Sequence, residues 1–188
     1  YGTGCQHSIN RLMSTAAEYM DYLSMRQQLG YDMSNTVYLH PRDLSAAHQK
    51  MVAEMDKKGF DKRILEVMTK YPDIKKNYRK LRSHYYFEND SYLIRPARNA
   101  GEIVREGRQL HHCVGGDNYL KSHNDGRSYI LFLRFKDKKE MPYITIEINP
   151  RGENIMQWYG AHDKKPDEAN MKRLIEEYTK SLKETVSA

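Results

Sequence analysis

Apolar and polar positions divide this chain into a helical first half and a second half that alternates with the period of strands. Ile9, Met13, Ala16, Met20 and Leu23 recur at helical spacing, and Gly30 offers a stop. Pro41 suits the first position of a second helix. Leu44, Ala47, His48, Met51, Val52 and Met55 form its apolar stripe, Lys57 and Lys58 complement the C-terminal end of its dipole, and Gly59 follows as a terminator. His48 lies on that apolar face, where a satisfied core histidine is the ordinary reading. Asp61 is placed to cap a third helix with Ile64, Leu65 and Met68 inward. Pro72 should break it, and a basic helical piece with Ile74, Tyr78 and Leu81 continues to Arg82.

The period then changes. Residues 91–95 form a short strand pattern before Pro96. Asn99 followed by Glu102 is a capping pair for a helix through Glu106, with Gly107 as its end. Residues 117–122 make one further helical turn, and Asn124-Asp125-Gly126 is a turn. Residues 128–135, 143–148 and 155–159 are three sequential strands, most simply an antiparallel meander. Pro166 starts a last helix whose stripe is Met171, Leu174, Ile175, Tyr178 and Leu182. These elements predict an α+β fold: N-terminal helices, a small antiparallel meander of three to four strands, and a C-terminal helix packed on one face. A split near residue 90 separates a helical region, 1–90, from an α+β region, 91–188.

The hairpin at Asn149-Pro150-Arg151-Gly152 has proline and glycine where a type I turn followed by a left-handed bulge residue needs them. That loop would set Ile148 opposite Asn154 and Thr145 opposite Gln157, with Thr145, Glu147, Ile155 and Gln157 on one face. Arg134 joins them by alternation. This polar row is either the floor of a site or a solvent-facing surface with an Arg–Glu pair.

Composition narrows the setting. The chain has 188 residues, enough for a hydrophobic core, and no apolar run approaches the ~18 residues of a membrane span. No signal peptide is visible, and an opening at Tyr1 rather than Met suggests a trimmed segment. Cys5 and Cys113 are the only cysteines, which argues against a disulfide framework and for a reducing cytoplasm. The net charge of +6 is focused: residues 57–82 carry +7 and the rest sums to −1. Such a segment, with Lys75, Lys76, Arg79, Lys80 and Arg82 in its last helix, is either a solvated helix face or a nucleic-acid footprint.

The chemistry concentrates in Gln109-Leu110-His111-His112-Cys113-Val114-Gly115-Gly116. Imidazole and thiol together serve nucleophilic catalysis or metal binding. As a nucleophile, Cys113 needs a base within reach. His112, His111, His123 and His162 are eligible, Glu147 or Asp163 to orient it, and Gln157 to donate to an oxyanion. As a nucleic-acid binder, the protein would use the basic segment for phosphates and exposed tyrosines for bases. As a metal site, His111 or His112, Cys113, His123 and His162 would be ligands, but no Cys-x-x-Cys or His-x-x-x-His pair supports it, and no cofactor is called for. A structural role in a larger complex is the remaining alternative.

Glu102-Ile103, Gly107-Arg108-Gln109-Leu110-His111-His112-Cys113-Val114-Gly115, Tyr119, Ile130 with Arg134, Thr145-Ile146-Glu147, Ile155-Met156-Gln157-Trp158-Tyr159-Gly160 and Pro166 occur in one order. In this order they resemble the PcfJ-like proteins of conjugative plasmids, phages and related bacterial mobile elements. The resemblance runs over residues 92–183, and Leu39-His40-Pro41-Arg42-Asp43-Leu44 with His48 is similar to the helical region of that family. One departure is Asp163, where the Gly-x-x-Asn pattern has Asn; Asp keeps an acceptor but loses the amide donor. The resemblance implies a mobile-element setting, with nucleic acid or proteins of the same element as partners. It marks Tyr119, Arg134, Thr145, Gly160 and Asp163 as further pocket residues. It brings no reaction with it.

Overall fold

Local signals and long-range packing build two units, residues 1–63 and 64–188. The computed structural model describes residues 3–151 and 153–186, and side chains 8–183 apart from Asn10 and Gly152. Gly152, read above as the left-handed residue of the hairpin loop, and the side chain of Cys5 lie outside the described residues.

The first unit is helical. It contains α1 (Thr3–Leu29), the single turn α2 (Thr36–Leu39) and the first part of α3 (Leu44–Lys70). Tyr22, Met25 and Met51 are its buried centre, with Tyr19, Leu23, Leu29, Leu44, Ala47 and Met55 packed around them. The α1 stripe read from the sequence is rotated from this face: Ile9, Met13 and Met20 are exposed. His48 Nε2 lies 2.8 Å from Asp21 Oδ2, so this histidine is half-buried with a carboxylate partner. Two expectations for α3 fail together. Gly59 does not end a helix and Asp61 does not cap one, because α3 runs unbroken through both. A glycine terminates a helix only where the chain turns left-handed. Inside a helix it costs about 1 kcal/mol relative to alanine, which the buried Ile64 and Val67 further along α3 offset.

Pro72 does break the chain, and α4 (Asp73–Tyr85) follows. Five strands come next in a sheet ordered β1-β2-β3-β4-β5, every neighbouring pair antiparallel. They are β1 (Phe87–Glu88), β2 (Tyr92–Pro96), β3 (Tyr129–Phe135), β4 (Ile144–Asn149) and β5 (Asn154–Tyr159). The fold is α+β as expected, with a two-residue edge strand, β1, that is too short to show a period. Between β2 and β3 lie α5 (Ala100–Leu110), a 3-10 turn (Cys113–Gly115) and α6 (Asp117–Asn124); after β5 come a second 3-10 turn (Ala161–Asp163) and α7 (Glu168–Val186).

Strand alternation gives the sheet two unlike faces. Ile94, Leu131, Leu133, Ile144, Ile146, Ile148 and Trp158 point one way, into a core closed by Leu81 and Tyr85 of α4 and by Met171, Leu174, Tyr178 and Leu182 of α7. The alternate positions Ile130, Phe132, Arg134, Thr145, Glu147 and Gln157 face α5 and the turn after it. The chain passes from one compact unit to the other between residues 63 and 64, and α4 supplies part of the sheet's own core.

The β4–β5 register differs from the expected one. Asn149 pairs with Asn154 and Ile148 with Ile155, then the register shifts so that Glu147 pairs with Gln157 and Thr145 with Tyr159. Met156 is the extra residue of a β-bulge. Thr145, Glu147 and Gln157 share a face as expected, but Ile155 packs toward the apolar core instead.

Candidate functional site

The site is assembled by α5 and its exit. Asn99 Oδ1 accepts a hydrogen bond from Glu102 N at 3.0 Å, capping the helix at the residue expected. The helix passes Gly107 and ends at Leu110, where His111 turns left-handed at φ 53°, ψ 48°. Gly107 has another purpose: a Cβ there would stand 2.7 Å from Gly115 N, and one on Gly115 would stand 3.1 Å from Val104 Cα. The two glycines let the Cys113–Gly115 turn lie directly on α5.

Two buried ion pairs hold α5 on the sheet. Arg95 meets Glu102 through two hydrogen bonds of 3.0 and 2.7 Å. Arg134 meets Glu106 in the same bidentate way, with both side chains almost fully buried at 3% and 2% exposure. The ring of Phe132 lies under both guanidinium groups, at 5.3 and 4.8 Å from its centroid. Burial pushes the Glu102 carboxyl up, but its bonds from Arg95 and Arg98 outweigh that and hold its pKa below the ordinary value.

Beside this anchor opens a cleft of about 430 Å³ lined by His112, Cys113, Tyr119, Glu147, Gln157 and Asp163, with Val114, Ile130, Thr145 and Tyr159 completing the wall. Its hydrogen bonds are directional. Thr145 Oγ1 donates to Glu106 Oε1 at 3.0 Å, so its oxygen accepts from His112 Nε2 at 3.1 Å. That assigns the proton of His112 to Nε2 and leaves Nδ1 as a bare lone pair, buried with no partner among the described residues. Burial lowers the pKa of His112 below 6.5, against the opposing pull of the Glu106 carboxylate. Glu147 accepts from Ser128 Oγ at 2.6 Å and from Gln157 Nε2 at 2.7 Å. Tyr119 Oη accepts from Gln157 Nε2 at 3.4 Å and shares a hydrogen bond of 3.6 Å with Cys113 Sγ. The hydrogen bond with Cys113 is the leading cause of a raised Tyr119 pKa. The cleft thus holds an exposed thiol, a phenol donor, a neutral imidazole and the carboxylates of Glu147 and Asp163.

The sequence candidates separate. His112, Cys113, Tyr119, Thr145, Glu147, Gln157 and Asp163 come together. His111 does not line the cleft; it is exposed and its ring stacks on that of His162, with centroids 4.7 Å apart and planes 2° from parallel. Arg134 lies on the expected face but its partner is Glu106, not a cross-strand glutamate. A Cβ at Gly160 would sit 3.0 Å from Tyr143 O and 3.1 Å from Pro166 Cδ, so its place is a tight chain crossing. His123 is fully buried; its Nδ1 accepts from Ile130 N at 3.0 Å, and burial drives its pKa down to about 3. It does not line the cleft that holds Cys113. No group of three or more His, Cys, Asp or Glu side chains suited to a metal ion occurs among the described residues. Glu106, Ser128 and Tyr159 were not singled out from the sequence. Glu106 had one local signal, its place one helical turn after Glu102.

The basic residues stand elsewhere. Lys75, Lys76, Arg79, Lys80 and Arg82 are exposed on α4, whose Leu81 and Tyr85 pack on the sheet face opposite to the cleft floor. Lys76 pairs with Asp73, the one acid of this helix, at 2.9 Å, and Arg82 lies over the Tyr86 ring at 4.8 Å.

The motif order finds a counterpart among known families. The family model described as PcfJ-like protein matches residues 18–175. The chain belongs to the PcfJ-like family. The match takes in the helical first unit from residue 18 onward, together with the sheet and cleft of this PcfJ-like chain. A Listeria innocua protein described as uncharacterized protein Lin1253/Lin1744 is 28% identical over 151 residues, covering 79% of this chain and 30% of that protein. The PcfJ-like chain thus corresponds to less than a third of that relative's length. No solved structure matches. No helix among the described residues is long and apolar enough to cross a membrane.

Proposed function

We propose that the cleft is a thiol-dependent reaction site in which Cys113 attacks a carbonyl carbon. The observation that carries this reading is the exposed Cys113 thiol in a cleft whose wall is hydrogen-bonded into one orientation. His112 Nδ1 has no hydrogen-bond partner among the described residues, so in this reading the imidazole turns toward the sulfur or takes the thiol proton through a water. The S–C bond forms with the Tyr119 hydroxyl donating to the oxyanion, the C–N bond breaks as the amine leaves with that proton, and water then hydrolyses the thioester and returns the thiol. Glu147 and Asp163, beside a neutral His112, favour a substrate that brings N–H donors, such as an amide, and disfavour a phosphate. Alkylation by iodoacetamide tests it in a Cys5→Ala background. Cys113 should react faster than a free thiol at neutral pH, and His112→Asn and Thr145→Val should each slow it by about tenfold, one decade being ~1.4 kcal/mol of barrier. An inert Cys113, or a rate indifferent to His112, would overturn the reading.

A second reading rests on α4. Five exposed cations with a single acid on one helix support binding to nucleic acid, and the mobile-element setting implied by the family resemblance points to the same partner. Charge reversal of Lys75, Arg79 and Lys80 to Glu should abolish binding of a labelled duplex and flatten its salt dependence, which otherwise falls by about 0.9 in log K per log salt for each phosphate neutralised. Binding unchanged by the reversal, or by salt, would sink this assignment while leaving the cleft untouched.

A further inference from the structure

The helical unit contains a buried cation that makes no salt bridge among the described residues. Arg26 of α1 is 5% exposed, and the Asp32 carboxylate feels its charge without forming a salt bridge to it. Among the described residues its guanidinium donates from Nη2 to the Asp32 carbonyl at 3.3 Å, and Nε is buried with no partner. The Asp32 carboxylate is turned to Ser34, accepting from its backbone N at 2.8 Å and its hydroxyl at 2.7 Å. Three tyrosine rings surround the guanidinium instead, with centroids 4.9 Å (Tyr31), 5.3 Å (Tyr38) and 5.7 Å (Tyr22) from Cζ. An arginine does not neutralise itself by losing a proton, so a guanidinium taken from water calls for an anion.

Space for that anion is present. A cavity of about 510 Å³ is lined by Arg26, Tyr22, Tyr31, Tyr38 and Lys50, all from the first unit. Lys50 adds a second cation at its wall. The rings are held by their own hydroxyls: Tyr31 donates to Glu54 at 2.6 Å and Tyr22 donates to the Tyr38 carbonyl. Tyr31 and Tyr38 are 41% and 57% exposed, so aromatic faces are available at the mouth.

We infer that this cavity binds a nucleotide, with Arg26 and Lys50 on the phosphate and Tyr31 and Tyr38 against the base. A fixed guanidinium fork with a point-charge ammonium matches a phosphate carrying more than one negative oxygen, and tyrosine faces accept any base. The nucleotide is either a free mononucleotide or one residue of a single strand, and both offer the same phosphate and base. The site shares no residue with the Cys113 cleft or with α4.

Calorimetric titration of the whole chain with inorganic phosphate, with AMP and with a short oligothymidylate tests it. AMP or the oligonucleotide should bind, and Lys50→Glu and Tyr38→Ala, both at exposed positions, should each weaken that binding at least about tenfold. Arg26→Gln should abolish it with the circular dichroism spectrum kept. Binding of AMP and oligonucleotide alike assigns a mononucleotide, and binding of the oligonucleotide alone assigns a strand. The inference is overturned if neither binds, if inorganic phosphate binds as tightly as AMP, or if Lys50→Glu and Tyr38→Ala both leave affinity unchanged. The charge-reversed α4 variant should retain this binding, which separates the site from the α4 surface.

Discussion

Replacing Glu106 with methionine would leave the Arg134 guanidinium in a pocket where it is 3% exposed, with no carboxylate to meet it. Breaking a buried pair by removing one partner costs about 3–5 kcal/mol. Thr145 would also lose the acceptor of its hydroxyl, worth about 1 kcal/mol. The Phe132 face already lies under the guanidinium and returns nothing new, leaving a net loss of about 4–6 kcal/mol. Against a typical stability of about 5–15 kcal/mol, that is a large fraction. The double variant Glu106→Met with Arg134→Met removes both charges and fills the volume with apolar atoms, which is near neutral for many such pairs. Its expected loss, about 1–2 kcal/mol, comes mainly from Thr145. Trp158 is the only tryptophan and is 7% exposed in the apolar core, so its fluorescence reports urea unfolding directly. The reasoning is refuted if the double variant is as unstable as the sum of the two singles, or if Glu106→Met costs under about 1 kcal/mol.

His123 should make the protein acid-sensitive well above the carboxylate range. Its folded pKa is near 3 against 6.5 unfolded, so the unfolded state binds the extra proton: the stability is fully present above pH 6.5 and is lost as pH falls toward 3. Unfolding free energies across that window should slope by up to about 1.4 kcal/mol per pH unit, and His123→Asn, which keeps an acceptor near Ile130 N, should flatten the slope. Gly107→Ala should destabilise by about 1–3 kcal/mol and alter the labelling rate of Cys113, because its Cβ would push the 3-10 turn off α5. Wild-type melting and labelling in that variant would mean that the contact between the two glycines is not what seats the turn.

What was legible in the sequence was local. The Asn99 cap, the break at Pro72, the turn at Asn124-Asp125-Gly126 and the alternation of the three long strands each depend on neighbours within a few residues. Glu106 was hidden because its partner Arg134 lies 28 residues away, and nothing near Glu106 distinguishes an anchoring glutamate from a solvated one. The left-handed turn at His111 was misplaced to Gly107 for a related reason. Gly107 is needed for a close approach to Gly115, and that demand comes from tertiary structure rather than from a helix end. His111 and His162 looked like members of the Cys113 site by composition. Their φ angles of 53° and 55° carry both rings outward to stack on each other.

The bulge at Met156 gives the β4–β5 hairpin something akin to a reading frame. If the pairing set by the loop continued without the extra residue, Met156 would oppose Glu147 and Gln157 would oppose Ile146, turning Gln157 into the apolar core and Trp158 out into the cleft. The slip at Met156 restores the frame, so the loop 150–153 and the strand after it are tied to one another in length. An added or lost residue in that loop changes which side chains reach Tyr119 and Cys113. In a lineage of such domains, length changes at this turn would act as frameshifts of the site, and the tolerated ones would come in compensating pairs.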